Sequence, residues 1–179
     1  MLTLNEYRSN FEQSTNRSVS MPIAGTIIWS LVGLLSTQFD QDVAIYILLF
    51  ATGGIFPLAI VIAKFRKEDL MSSSNPLAKL MGLCILMVNL LWALHLPLLF
   101  SAPEFVPMSI GIGLGLHWVV YSWIVNHPVG IIHAVLRSIL IFIAWYLFPN
   151  NSLLATSCVV VFVYLISLYQ MLNREIKKS

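Results

Sequence analysis

Apolar residues run along this chain in blocks of about twenty, interrupted by short polar stretches, rather than in the narrow stripes of an amphipathic soluble helix. Blocks of that length match the roughly 20 residues a helix needs to cross a hydrocarbon core of about 30 Å. Six are legible, at 22–38, 43–63, 77–100, 106–125, 129–148 and 153–172, separated by STQFDQD, KFRKEDLMSSSN, SAPEF, NHP and PNN. Backbone groups in lipid must find hydrogen bonds within their own segment, so such blocks predict helices. The expected fold is all-α: a six-helix transmembrane bundle forming a single integral membrane domain over residues 1–179.

Local signals refine this picture. Ahead of the first block, Thr3 and Glu6 have capping-box spacing, and Leu4, Tyr7 and Phe11 share one face. They predict a short interfacial helix within residues 1–18, lying on the inner leaflet or on the bundle. Pro22, Pro76 and Pro128 each open an odd-numbered block, at spacings of 54 and 52 residues. Proline suits the first helical turn, and the repeat suggests three helical hairpins in series. Within the second block, GGIFP ends on Pro57, which removes a hydrogen bond to the Gly53 carbonyl and predicts a kink there.

Composition excludes a soluble domain, since 58% of the residues are hydrophobic, 10% are charged, and the mean hydropathy is +0.84. Eight of the ten basic residues fall in the first, third and last polar stretches on one side, Lys79 follows the third within one turn, and Arg137 is the tenth. The positive-inside rule then places the N-terminus and the C-terminus in the cytoplasm. A basic surface explained by topology and membrane lipids leaves no reason to expect nucleic acid as a partner. The two cysteines, Cys84 and Cys158, belong to different depths and predict no disulfide. No HExxH, GxSxG or intramembrane carboxylate pair occurs, so neither metal, cofactor nor catalytic residue is assigned.

What remains is a set of polar residues inside the apolar blocks. In GIGLGLHWVVYSW, residues 111–123, the helical period puts Gly111, Gly115, Trp118 and Ser122 on one stripe and Gly113, His117 and Tyr121 on another. Counted at 1.5 Å per residue from the basic end, Ser30, Asn89, His117 and Arg137 share a layer about 12 to 16 Å deep. Tyr121 and His133 come at about 6 to 8 Å, with His133 one turn below Arg137. His95 lies near the other end and is left out. A buried arginine needs compensation. It could snorkel to headgroups, form a lock with Asn89, His117 or the Gly53 carbonyl, or hold a ligand. The candidate ligand-binding residues are Arg137, His133, His117, Tyr121, Asn89 and Ser30.

With KFRKEDLMSSSNPLAKL after GGIFPLAIVIAK, and GLHWVVYSWIVNHP later, the chain resembles an uncharacterised family of small bacterial multi-pass integral membrane proteins. That resemblance covers nearly the whole chain and implies the bacterial inner membrane, but no activity. The leading functional expectation is binding or transport of a small solute, an anion for instance, through a cytoplasm-facing polar layer. Six helices in 20.1 kDa leave little room for a private pathway, so a homo-oligomer is expected. A non-catalytic membrane scaffold is the alternative, and a lipid-head-group enzyme comes third.

Overall fold

The computed structural model describes residues 2–70 and 74–175; Lys177 and Lys178 of the basic tail and residues 71–73 of the third polar stretch lie outside them. The described residues form ten α-helices joined by turns and short 3-10 segments. Helix α1 (Leu4–Ser14) opens with the expected capping box: the Thr3 amide donates to Glu6 Oε2 at 2.6 Å and the Glu6 amide to Thr3 Oγ1 at 3.3 Å. The Thr3 amide and then the Thr3 hydroxyl, both donating to Glu6 Oε2, hold that carboxyl below its ordinary pKa. Phe11 is buried, so α1 lies against the bundle.

Helix α2 (Ser20–Leu35) has Pro22 in its first turn, and its Ser20 amide donates to Glu68 Oε2 at 3.0 Å. A carboxylate here satisfies an orphan N–H and complements the helix dipole. The second block is two helices, α3 (Gln41–Gly53) and α4 (Ile55–Arg66), bent by 40°. The bend falls where Pro57 removes the bond to Gly53, as the sequence predicts.

The third block is α5 (Pro76–Leu90) and α6 (Trp92–Ser101), and Asn75 caps it by accepting from the Leu77 amide at 2.8 Å. The fourth is α7 (Val106–Gly113) and α8 (Trp118–Val125); α9 (Val129–Leu147) and α10 (Ser152–Asn173) follow. Asn16–Leu35, Pro76–Ser101, Pro103–Val125, Val129–Leu147 and Pro149–Asn173 are each long and apolar enough to cross a membrane, and the α3–α4 pair makes a sixth if taken as one span.

The fourth block is not the continuous helix its apolar run predicts. Across residues 114–117 the chain tightens to i→i+3 bonds: the Gly115 amide donates to Ile112 O at 2.8 Å and the Leu116 amide to Gly113 O at 3.2 Å. This leaves the Gly111 carbonyl, which a regular helix would pair with Gly115, free for another donor.

Helices α2, α9 and α10 pack together at the centre, with Trp29, Ile141 and Val160 fully buried. Outside, Phe50, Phe65 and Phe100 are 82%, 85% and 80% exposed, an apolar exterior suited to lipid and not to water. The basic segments meet at one end: Asn16 donates to Arg66 O, Arg8 to Trp123 O and Arg17 to the end of α10. Cys84 and Cys158 are both free thiols.

Candidate functional site

Arg137, on α9, is fully buried. Its Nε donates to the freed Gly111 carbonyl at 2.6 Å. The three alternating glycines each admit a different neighbour. A Cβ on Gly111 would come within 2.9 Å of Ile141 and Thr156, one on Gly113 within 3.0 Å of Leu91, and one on Gly115 within 2.9 Å of Arg137 Cδ. Gly115 therefore makes room for the arginine, and the broken turn beside it supplies the acceptor.

Charge compensation comes from dipoles and ring faces. Arg137 Nη1 lies 3.4 Å from His133 Nε2, and His133 Nδ1 lies 2.8 Å from Ser167 Oγ. Ser167 Oγ in turn donates to the Val163 carbonyl at 2.9 Å, which commits its only proton. It must accept from His133, so Nδ1 carries the hydrogen and Nε2 presents its lone pair to Arg137. His133 is thereby held neutral, stacked on Trp118 with ring centroids 3.9 Å apart. The guanidinium carbon also lies 5.2 Å from the Tyr164 ring centre and 5.7 Å from that of Trp29, within cation–π range.

This arrangement corrects two expectations. Arg137 does not reach headgroups, because Gly111, Trp29 and Tyr164 enclose it, and its lock uses none of Asn89, His117 or the Gly53 carbonyl. His133, one turn nearer the basic end, is fully buried behind Trp118. Depth counted along one helix carries no information about which neighbour covers a side chain. His95, left out of the cluster, bonds separately to Ser109 at 2.9 Å.

Tyr121 belongs to a second network at the basic end. Its hydroxyl donates to Arg17 O and accepts from Arg174 Nη2, both at 3.2 Å. Arg174 pairs with Glu12 of α1 at 2.7 Å, and both are buried. Burial pushes the Glu12 carboxyl above its ordinary pKa, and attraction to Arg174 offsets this only in part. Arg17 stands in the left-handed region at φ 71°. From there its Nη1 donates to the carbonyls of Met171, Leu172 and Arg174 at 2.9, 2.9 and 2.6 Å. A cation thus closes the C-terminal end of α10.

Between these networks lies a cavity of about 510 Å³, bounded by α1, α4, α5 and the start of α8. Phe11, Phe56, Met81, Ile85 and Trp118 make its wall mostly apolar, while Thr15, Asp69, Asn89, His117 and Tyr121 add polar groups. A smaller space of about 150 Å³ shares Asn89, His117 and Trp118 and reaches Thr52 and Gly53 at the α3–α4 bend. His117 is half-buried at the junction, and its Nδ1, turned away from solvent, makes no hydrogen bond of ordinary geometry.

Of the six candidates, Asn89, His117 and Tyr121 line the main cavity. Arg137 and His133 form the lock behind it, and Ser30, half-buried on α2, lines neither space. Sequence reasoning missed Glu12, Arg17 and Arg174, because charged residues outside the apolar blocks read as solvated ends. The one visible signal was the capped helix they anchor.

Fold and site define an all-helical protein, with five or six helices or helix pairs long and apolar enough to cross a membrane, a buried arginine lock and a mostly apolar cavity. The chain belongs to a family of unknown function, DUF7010, whose pattern matches residues 4–174. No curated protein and no solved structure matches it.

Proposed function

We propose that this is a six-span protein of the bacterial inner membrane, both termini cytoplasmic, that binds a small solute in the cavity beneath α1 for transport or sensing. The observation that carries this reading is the cavity itself. Its 510 Å³ lies within the ~300–1,000 Å³ of ordinary ligand pockets, and His117 and Asn89 stand on its wall with hydrogen-bonding capacity to spare. A scaffold whose polar residues served only packing would satisfy them against each other, as His133 and Ser167 do. The solute is not selected by Arg137, which faces no cavity. Helix α1, tied down by the Glu12–Arg174 pair, is the cover on the cytoplasmic side.

Thiol reactivity tests this. In a background free of Cys84 and Cys158, Gly82→Cys and Asn89→Cys should react with N-ethylmaleimide, because a hydrated cavity lets the thiolate form. Leu83→Cys, exposed on α5 like them but not lining the cavity, should not. Inert thiols at both cavity positions would remove the binding reading and favour a packed scaffold.

A further inference from the structure

The cavity borders the open face of α5, where Gly82 and Asn89 are both exposed. At the basic end α1 covers it, with Phe11 and Thr15 on its wall, and α1 is fastened by Glu12 to Arg174, by Arg8 to Trp123 O and by Asn75 to Tyr7 O. On the side, α4 packs against α2 and α3 while α5 packs against α1 and α8, and the cavity lies between α4 and α5. The span containing α5 is the least enclosed of the molecule, 17% buried against 39–44% for the other four long spans. Gly82 on α5 lines the gap, and a Cβ there would meet nothing within 4 Å.

The wall also selects by charge. Among the described residues that line it, Asp69 is the only one that is charged, and it stands at the end near α1. Four aromatic residues, Phe11, Phe56, Trp118 and Tyr121, line the rest together with aliphatic groups. Ring faces favour a cationic or neutral polar group and oppose an anionic one. Arg137, the cation on which an anion site would depend, is sealed behind Trp118 and His133.

Resting on the binding function proposed above, we infer that the occupant is a non-anionic amphiphile, a long-chain amine or alcohol in chemical class, which enters sideways from the cytoplasmic leaflet between α4 and α5. Its chain lies against Phe56, Met81 and Ile85, and its polar end lies near Thr15 and Asp69.

The test uses the full chain in lipid nanodiscs and three photoreactive diazirine probes of equal chain length, ending in an amine, a hydroxyl or a carboxylate. Peptide mapping should place amine and hydroxyl labelling on cavity residues of α4, α5 and α8, at least tenfold above the carboxylate probe. Gly82→Phe, whose Cβ meets nothing within 4 Å, should reduce that labelling at least fivefold with the melting temperature maintained. Carboxylate labelling equal to the others, or labelling unchanged in Gly82→Phe, overturns the inference. So does a nanodisc dimer that Gly82→Phe separates, which would assign the gap to a second copy. If Gly82→Cys reacts with N-ethylmaleimide but no probe labels the cavity, the amphiphile falls and the cavity function stands. If neither reacts, both fall.

Discussion

Arg137 shows how a cation is held in an apolar bundle without a carboxylate. One donor takes a backbone carbonyl freed by a broken helical turn, another faces a histidine lone pair fixed by Ser167, and two rings flank the guanidinium, whose Nη2 has no hydrogen-bond partner. Lysine cannot reproduce that fork, since its single ammonium reaches one acceptor at a time. Arg137→Lys should therefore lower stability by about 2 kcal/mol, the order of a lost hydrogen bond to a charged group, and phosphate or sulfate should not restore it. Melting in detergent with and without these anions checks this; a Lys variant equal to wild type would mean the fork contributes nothing. Gly115→Ala should disturb the same lock from the other side, by about 1–3 kcal/mol as an overpacked site, because its Cβ would press on Arg137 Cδ at 2.9 Å. His127, in the α8–α9 turn, accepts from the Val129 amide through Nδ1 at 3.2 Å. Burial, then Arg174, lowers its pKa. A depressed base stabilises the fold fully above its unfolded value of about 6.5, and that contribution is lost as pH falls through the lowered value. An NMR titration of His127 should give a midpoint below 6.5, and a normal midpoint would contradict the assignment.

Among the elements, α1 has the most conditional attachment. Its link to the end of α10 is a buried ion pair, and removing one partner of such a pair costs about 3–5 kcal/mol because the other charge stays buried. Arg174→Gln should loosen α1, seen as faster hydrogen exchange over residues 4–14 and greater access of impermeant thiol reagents to Gly82→Cys. Glu12 has a raised pKa, so its contribution is complete below the ordinary carboxylate range and is lost as pH rises through the raised value. Mild acid should accordingly re-dock α1 in Arg174→Gln. A Glu12→Gln, Arg174→Gln double variant should show no such rescue, and an equal acid response in both would remove Glu12 from the account. The α8–α9 turn has a firmer attachment: Ser122 Oγ accepts from the Gly130 and Ile131 amides at 2.9 Å and donates to His127 O at 2.6 Å.

At the scale of the whole molecule, the basic residues gather at one end and α5 stands apart from the central α2, α9 and α10. Topology follows from the first of these features. Single cysteines at Lys64 should be labelled from the cytoplasmic side and those at Gln38 from the opposite side. The reverse pattern would invert the proposed orientation and, with it, the leaflet that supplies the cavity.

Hydrophobic blocks, capping pairs and prolines act within a few residues, so the sequence alone determined the helical class, the capped α1 and the Pro57 bend. The requirement that imidazole, phenol and guanidinium avoid lipid also made His117, Tyr121 and Arg137 legible as inward-facing. Which partner each one meets was left to the tertiary structure. His133 and Arg137 turn towards Trp118, Trp29 and Tyr164 because α2, α8, α9 and α10 converge there. His117 and Asn89 border a void because α5 stands away from α4. Helix rotation and spacing depend on side-chain volumes summed over several elements, and no periodicity along one chain segment contains that sum.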